Sequence, residues 1–508
     1  MLASGCTDRE ATQTQTTTAA PTPTTTGNAS APSERPLRVS FTSSPGQFDP
    51  ARMATVEAFH LAFAIYDALI WIDRELTAQP LLALSWQTSA DQLAWTFDLR
   101  QDVKFHNGAD LTAKDVVYTF TRLTDPSLNS SLFSILRIVQ SIEAVDDYTV
   151  RFMLSAPNAE FPLLLGAPQA GIVPDQSTTA DLATKPVGTG PFQFVESIPG
   201  ERISMLRFAD YWNAEGYTVD ELEYVYLPSF SAQANALING EVDIVPDINI
   251  QDLSKLIDHP TVDVMEVPSG RYQTIVMQAT EAPFTDLHVR QALKLCADRH
   301  DLQEAVLQGH GSPGSDHPVS SVSPFWAEDL PVPERNINQA RQLLTAAGYP
   351  NGLKLSLITS ASRPGMVELA TAFRDMARPA GIEIDVVSVP ADVYWTDYGG
   401  KVPFHIGNWN SRPSIDETLT LGYYSQSQQN ESRWQNARLD AIIEEARAEG
   451  DFEARKALYR EAQMLIMTEG AVIIPYFRPV LMATSLAVQG FEPHPSGWLD
   501  FHEVTLNV

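Results

Sequence analysis

The chain repeatedly couples a helical segment to a strand, and this alternation constrains its fold more than any other feature. "NINQARQLLTAAGYPNGLKLSLITS" predicts a helix capped by Asn338 and stopped by Gly348, then a strand with Leu353, Leu355 and Leu357 on one side. "MVELATAFRDMARPAGIEIDVVSV" repeats the unit. Earlier, "LRVSFTS" alternates as a strand and ends at a Ser44-Pro45-Gly46 turn, while "VEAFHLAFAIYDALI" carries Phe59, Phe63, Tyr66 and Ile70 at helical spacing. "TAKDVVYTFTRL" predicts a helix N-capped by Thr112 with Val116, Phe120 and Leu123 on one face. Near the end, Leu439, Ile442, Ile443 and Ala446 form one helical stripe, and Leu458, Ala462, Leu465 and Ile466 form another. Such alternation implies α/β lobes with mixed sheets. At 508 residues and 44% hydrophobic content, two or three lobes are expected.

Several function classes lack residues to support them. The most apolar run, Gly470–Val488, is broken by Pro475, Arg478 and Pro479, so it reads as buried strands and not as a membrane span. A net charge of −29 argues against nucleic acid as a partner, because nothing offsets phosphate repulsion. Two cysteines, Cys6 and Cys296, make no disulfide framework, and Cys296 lies on an apolar helical face as a buried structural thiol. The ten histidines show no metal-ligand spacing. "GHGSPG" fails as a nucleophile elbow because His310 stands two residues before Ser312. Gly188 and Gly190 lack the third glycine of a dinucleotide site, and Pro191 follows where a helix should open. No catalytic residue, metal or cofactor is therefore assigned.

Residues 1–35 form a different region. From Thr7 to Pro36 the chain lacks apolar residues to offset ordering entropy, so a disordered Thr/Pro-rich linker is expected. Ahead of it, Ala3-Ser4-Gly5-Cys6 resembles a lipobox, which implies acylation of Cys6 and tethering to a membrane. Leucine stands one step earlier than usual in that pattern, and no charged and apolar segment precedes it, which suggests a start farther upstream. The alternative is an intracellular protein with a disordered tail.

The stretch Leu81–Leu123, "LLALSWQTSADQLAWTFDLRQDVKFHNGADLTAKDVVYTFTRL", resembles the signature region of the oligopeptide-type (family 5) extracellular solute-binding proteins of ABC importers. "PVGTGPFQF" (Pro186–Phe194), "ALINGEVDIV" (Ala236–Val245), "APFTDLHVRQALKLCADR" (Ala282–Arg299), "NQARQLLTAAGYPNG" (Asn338–Gly352) and "RLDAIIEEARAEGDFEARKALYREAQ" (Arg438–Gln463) resemble further landmarks in the family's order. The resemblance implies an α/β, two-lobed periplasmic-binding-protein fold (type II, a hinged clamp) with an additional third domain. Lobe I is expected over 36–78, 185–280 and 477–508, an inserted lobe II over 79–184, and lobe III over 281–476. It also implies a monomer outside the cytoplasm that passes a small-molecule or peptide ligand to a permease and its ATPases. The rivals are a receptor or chaperone of the same fold without transport, and a peptide hydrolase.

In this family the solute lies between lobes I and III, and "IGNWNSRPSIDETL" (Ile406–Leu419) resembles the pocket strand and loop. Trp409 matches a tryptophan beside the ligand, with Asn410 next to it. Three residues on, where peptide binders carry an aspartate for the ligand's amino terminus, this chain has Arg412. A guanidinium forks onto a carboxylate or phosphate, so the departure implies an anionic or blocked ligand. An internal salt bridge from Arg412 to Asp416 or Glu417 is the competing reading, and Asp416 is the nearby carboxylate that could replace the missing one. Further candidates are Trp395, Ser43 and Ser44 after the first strand, Tyr66 and Tyr272 on the lobe I side, and His317 in a cleft loop.

Overall fold

The structure is a computed structural model, and it describes residues 35–43 and 46–507. Cys6, Ser44 and the Thr/Pro-rich linker up to residue 34 lie outside the described residues, while Arg35, at the linker's end, is described and donates from Nη1 to Asp243 Oδ2 at 2.8 Å.

A twelve-stranded mixed sheet is the spine. At one end the parallel strands Leu353–Ser360 and Ile382–Val389 lie beside Phe404–Trp409. At the other, Ile244–Val245, Leu37–Phe41, Glu221–Tyr226, Arg202–Arg207 and Phe192–Ile198 follow one another. Between these ends run two long antiparallel strands, Val262–Met277 and Tyr476–Ser485.

These two strands belong to both halves. Val262 through Val267 pairs with Val480 through Ser485, and Tyr272 through Met277 pairs with Phe404–Trp409. The register slips between Val267 and Arg271, where Pro268-Ser269-Gly270 form a bulge that bends the strand. The apolar core changes at the same place. Val267 packs against a core built on Leu37, Val39, Phe192 and Leu222, whereas Tyr272, Ile275 and Met277 belong to one with Leu293, Phe373 and Ile406. The two lobes therefore meet at the bulge.

A separate four-stranded sheet, ordered Ala83–Thr88, Ala94–Leu99, Thr149–Leu154, Val139–Asp146, forms the insertion. The helix Ala113–Leu123 covers it and buries Val116, Phe120 and Leu123 against Phe97 and Phe152. Thr112 starts this helix in a capping box with Asp115, whose carboxylate accepts from the Thr112 amide at 2.8 Å. Ala51, Leu69 and Ile70 enter the same core, so the insertion packs onto lobe I.

Two local expectations are corrected. The helix at Val56 ends at Ile65, with Tyr66 extended and Ile70 in the strand Ile70–Ile72. The reason is a close approach: Gly190 N donates to the Ile65 carbonyl at 2.9 Å, taking the acceptor that a further turn would need. A Cβ at Gly188 would lie 2.1 Å from that carbonyl oxygen, so the glycines of "GTG" are required by packing. The helix buries Ala58, Leu61, Ala62 and Ile65, leaving Phe59 and Phe63 half-buried on its other side. Second, the helix Ile337–Ala346 is capped by Asn336, whose side chain accepts from Gln339 N at 3.0 Å, and Asn338 lies inside it. Gly348 does follow its end, with φ +91°.

Candidate functional site: the cleft between lobes I and III

A cavity of about 690 Å³ opens where the two lobes face each other across the bulge. Lobe I contributes Thr42 and Ser43 after the first strand, Glu57 and Phe59 from the helix Val56–Ile65, and the segment from Asp247 to Gln251. Lobe III contributes Arg363, Asn408, Asn410 and Trp395. Trp395 is 37% exposed and sits in a π-helical turn, Tyr394–Tyr398, with Gly399 packed against its ring. Such turns recur at functional sites.

The floor is electrostatically unusual. Arg271 and Arg478 are direct cross-strand partners, and both reach the cavity. Like charges placed opposite each other on an antiparallel pair are destabilising. Asp247 relieves part of this repulsion, its Oδ1 accepting from Arg271 Nη1 at 3.2 Å. Among the described residues Arg478 has no carboxylate within ion-pair distance and donates only to the Asn408 side chain, at 3.4 Å. Burial pulls its guanidinium below the ordinary arginine value; Asp247 opposes that shift and Arg271 adds to it. A cation held in this way is one anion short of compensation.

The residues expected from the sequence are distributed unevenly. Ser43, Asn410 and Trp395 line the cavity. Trp409 does not, because side chains on a strand alternate: Asn408 and Asn410 face the cleft, while Trp409 stacks on Tyr272 at 6.4 Å and packs over Gly422. Tyr272 is buried, its hydroxyl 3.3 Å from that of Tyr423. Arg412 turns into a recess beside the main cavity, where Nε donates to Glu417 Oε1 at 3.0 Å. Its guanidinium lies 5.4 Å from the Trp409 ring centroid. Asp416 is buried and bound to Arg447, Nη2 to Oδ1 at 3.0 Å. Tyr66, beyond the helix end, donates to the Phe48 carbonyl at 3.0 Å and borders a different cavity between lobe I and the insertion. His317 is buried, and desolvation lowers its pKa to about 4.

Sequence reasoning missed Glu57, Asp247, Arg271, Arg363, Arg478 and Asn408. A signal existed for two of them: Arg271 and Arg478 are the single charged residues in the strand sequences "GRYQTIVM" and "PYFRPVLMAT". A charge there needs a partner or a function.

Residues 77–431 match the family described as bacterial extracellular solute-binding proteins, family 5, and the chain belongs to that family. It is the solute-capturing subunit of an ABC importer, working outside the cytoplasm with a permease and its ATPases. Among relatives, the chain is 29% identical over 508 residues to heme-binding protein A of Haemophilus influenzae, with 91% of each chain covered. It is 24% identical over 460 residues to the glutathione-binding protein GsiB of Pectobacterium atrosepticum, covering 88% of this chain and 89% of that one. The solved structure of HbpA2 from Haemophilus parasuis superposes with a TM-score of 0.84 at 25% identity, over 93% of this chain and 100% of the other. Among the described residues no helix is long and apolar enough to cross a membrane.

Proposed function

We propose that the cleft captures a small anionic solute, peptide-like or otherwise, whose carboxylate or phosphate docks on Arg271 and Arg478. The observation that carries this reading is the cross-strand arginine pair, served by one carboxylate, on the cavity floor. Arg363 adds a third cation on the lobe III side. Asn408 and Asn410 supply neutral hydrogen bonds, and Trp395 with Phe59 supplies apolar wall. Glu57 and Asp247 can meet an ammonium on the same ligand, so a zwitterion with excess negative charge fits the lining best. Relatives named for heme and for glutathione support the reading, since both of those molecules carry carboxylates. Arg412 enters this scheme only indirectly, by bracing the loop that presents Asn410.

Closure would bring the walls onto the solute, because a ligand touching both lobes favours the shut state by its extra contacts. Lobe I takes in 36–78, the stretch from 185 to the bulge Pro268-Ser269-Gly270 and the C-terminal stretch from Val480, the inserted lobe is 79–184, and lobe III is the stretch between, so that the passage between lobes I and III lies inside the strand Val262–Met277. The chain acts as a monomer, is held at the outer face of the membrane by lipid on Cys6, and binds without turning over its ligand. Titration calorimetry with glutathione, short acidic peptides, dicarboxylates and their amidated counterparts tests the proposal. Saturable binding of the acids and not of the amides is expected, and preference for neutral or cationic members of the panel would refute it. Mass spectrometry of Cys6 in protein from its native host tests the anchor, and an unmodified thiol on soluble protein would count against it.

A further inference from the structure

Behind the cleft, the inserted lobe touches lobe III through a buried carboxyl. Glu160 precedes the short turn Phe161–Leu164, is 5% exposed, and reaches the start of the helix Ile415–Gly422. Its Oε2 accepts from Ser414 Oγ at 2.5 Å and from Asp416 N at 3.4 Å, and its Oε1 accepts from Tyr459 Oη at 3.4 Å. Ser414 in turn caps that helix, its Oγ accepting from Glu417 N at 3.1 Å. A backbone bond seals the seam, Ala159 N donating to the Arg447 carbonyl at 2.8 Å.

The charged groups around Glu160 leave it uncompensated. From the helix Ile415–Gly422 it faces Asp416, whose charge is engaged by Arg447 of the helix Ala437–Ala448. From the helix Phe452–Glu469 it faces Tyr459 and Arg455, and among the described residues no cation lies within ion-pair distance of its carboxyl. Burial, then Asp416, push this carboxyl up to about 7, against the bond from Ser414 and the attraction of Arg455.

The contact leads directly to the ligand site. Ser414 ends the segment 410–414, at whose other end Asn410 lines the cleft. Within that segment Ser411 Oγ accepts from Gly270 N at 3.3 Å, and Gly270 immediately precedes Arg271 in the bulge. A Cβ at 270 would lie 2.8 Å from Ser411 Oγ, so a side chain there would push that hydroxyl off the Gly270 amide.

We infer that Glu160 is a positioning residue for the cleft: from the inserted lobe it holds segment 410–414 against the bulge, tightly when its carboxyl is protonated and loosely when ionised, so that the site responds to external acidity. The inference rests on reading the cleft as the ligand site. The sign follows from linkage. Where the docked carboxyl binds its proton more tightly than the released one, docking is favoured in acid and weakens as pH rises towards about 7.

Hydrogen exchange on the unliganded full chain tests this at the amides of Asp416 and Glu417, at about pH 5.5 and about pH 8, normalised for intrinsic exchange. Protection in the unaltered protein is expected to fall about tenfold across that interval. Glu160→Gln, which cannot ionise, is expected to stay protected at both values, and Ser414→Ala to be weakly protected at both. Equal pH dependence in the unaltered protein and in Glu160→Gln overturns the inference. If Glu160→Gln does not fold, an undiminished pH dependence in Ser414→Ala overturns it instead. No ligand enters the experiment, so its failure leaves anion capture untouched, and failure of anion capture is read separately by titration.

Discussion

Replacing Arg478 by methionine separates a ligand-binding cation from a structural one. Methionine keeps most of the side-chain volume and removes the charge. In the free protein the substitution loses one hydrogen bond, the 3.4 Å contact to Asn408, worth at most ~1 kcal/mol at that length. It also relieves the repulsion from Arg271 directly across the strand pair, worth up to ~1 kcal/mol in the opposite direction. The terms nearly cancel, so the melting temperature should stay within a degree or two of the parent or rise. In the complex, the ligand's carboxylate loses a desolvated partner, at ~2–5 kcal/mol, which weakens binding about thirtyfold or more. Arg271 remains engaged with Asp247 and cannot fully replace it. Calorimetric titration beside thermal unfolding reads both quantities. Unchanged affinity together with a large drop in melting temperature would refute the argument, since Arg478 would then be holding the strands together.

Three other outcomes are expected. Arg412→Ala should lower stability by ~1–2 kcal/mol while sparing affinity, because it strands the largely buried Glu417 carboxyl, and a strong affinity loss without destabilisation would return Arg412 to the ligand. Asp67 is pushed up to about 7 by burial despite bonds from Trp212, Tyr211 and Thr189, so its contribution is present below pH ~4 and lost as pH rises to about 7; Asp67→Asn should flatten that part of the stability profile, and an unaltered profile would contradict the assignment. Small-angle scattering should show contraction on adding any acid that titration shows to bind, and an unchanged radius of gyration would contradict the clamp.

Fold and site differ in how far sequence alone exposed them, and the difference is physical. Helices with strong periodicity were readable because burial enforces the period: Leu439, Ile442, Ile443 and Ala446 are all fully buried, as are Val116, Phe120 and Leu123. The helix at Val56 was read too long because its stop is tertiary, imposed by Gly190 on the Ile65 carbonyl from far along the chain. At the site, resemblance pointed to the segment around Trp409 but not to its facing, and the alternation of Asn408, Trp409 and Asn410 decides that. Arg271 and Arg478 are distant in sequence and become neighbours only through strand pairing across the bulge. Their joint meaning is a property of register, which no local pattern encodes.

The central claim, that an anionic solute is held on the Arg271–Arg478 floor, is tested most directly by releasing and weighing what the protein carries. Protein purified from its native host would be denatured and the liberated small molecules identified by mass spectrometry, beside an Arg271→Ala/Arg478→Met double variant prepared identically. The account predicts one near-stoichiometric species bearing a carboxylate or phosphate, present in the parent and absent from the double variant. A neutral or cationic species, or one that the double variant retains in equal amount, would contradict it.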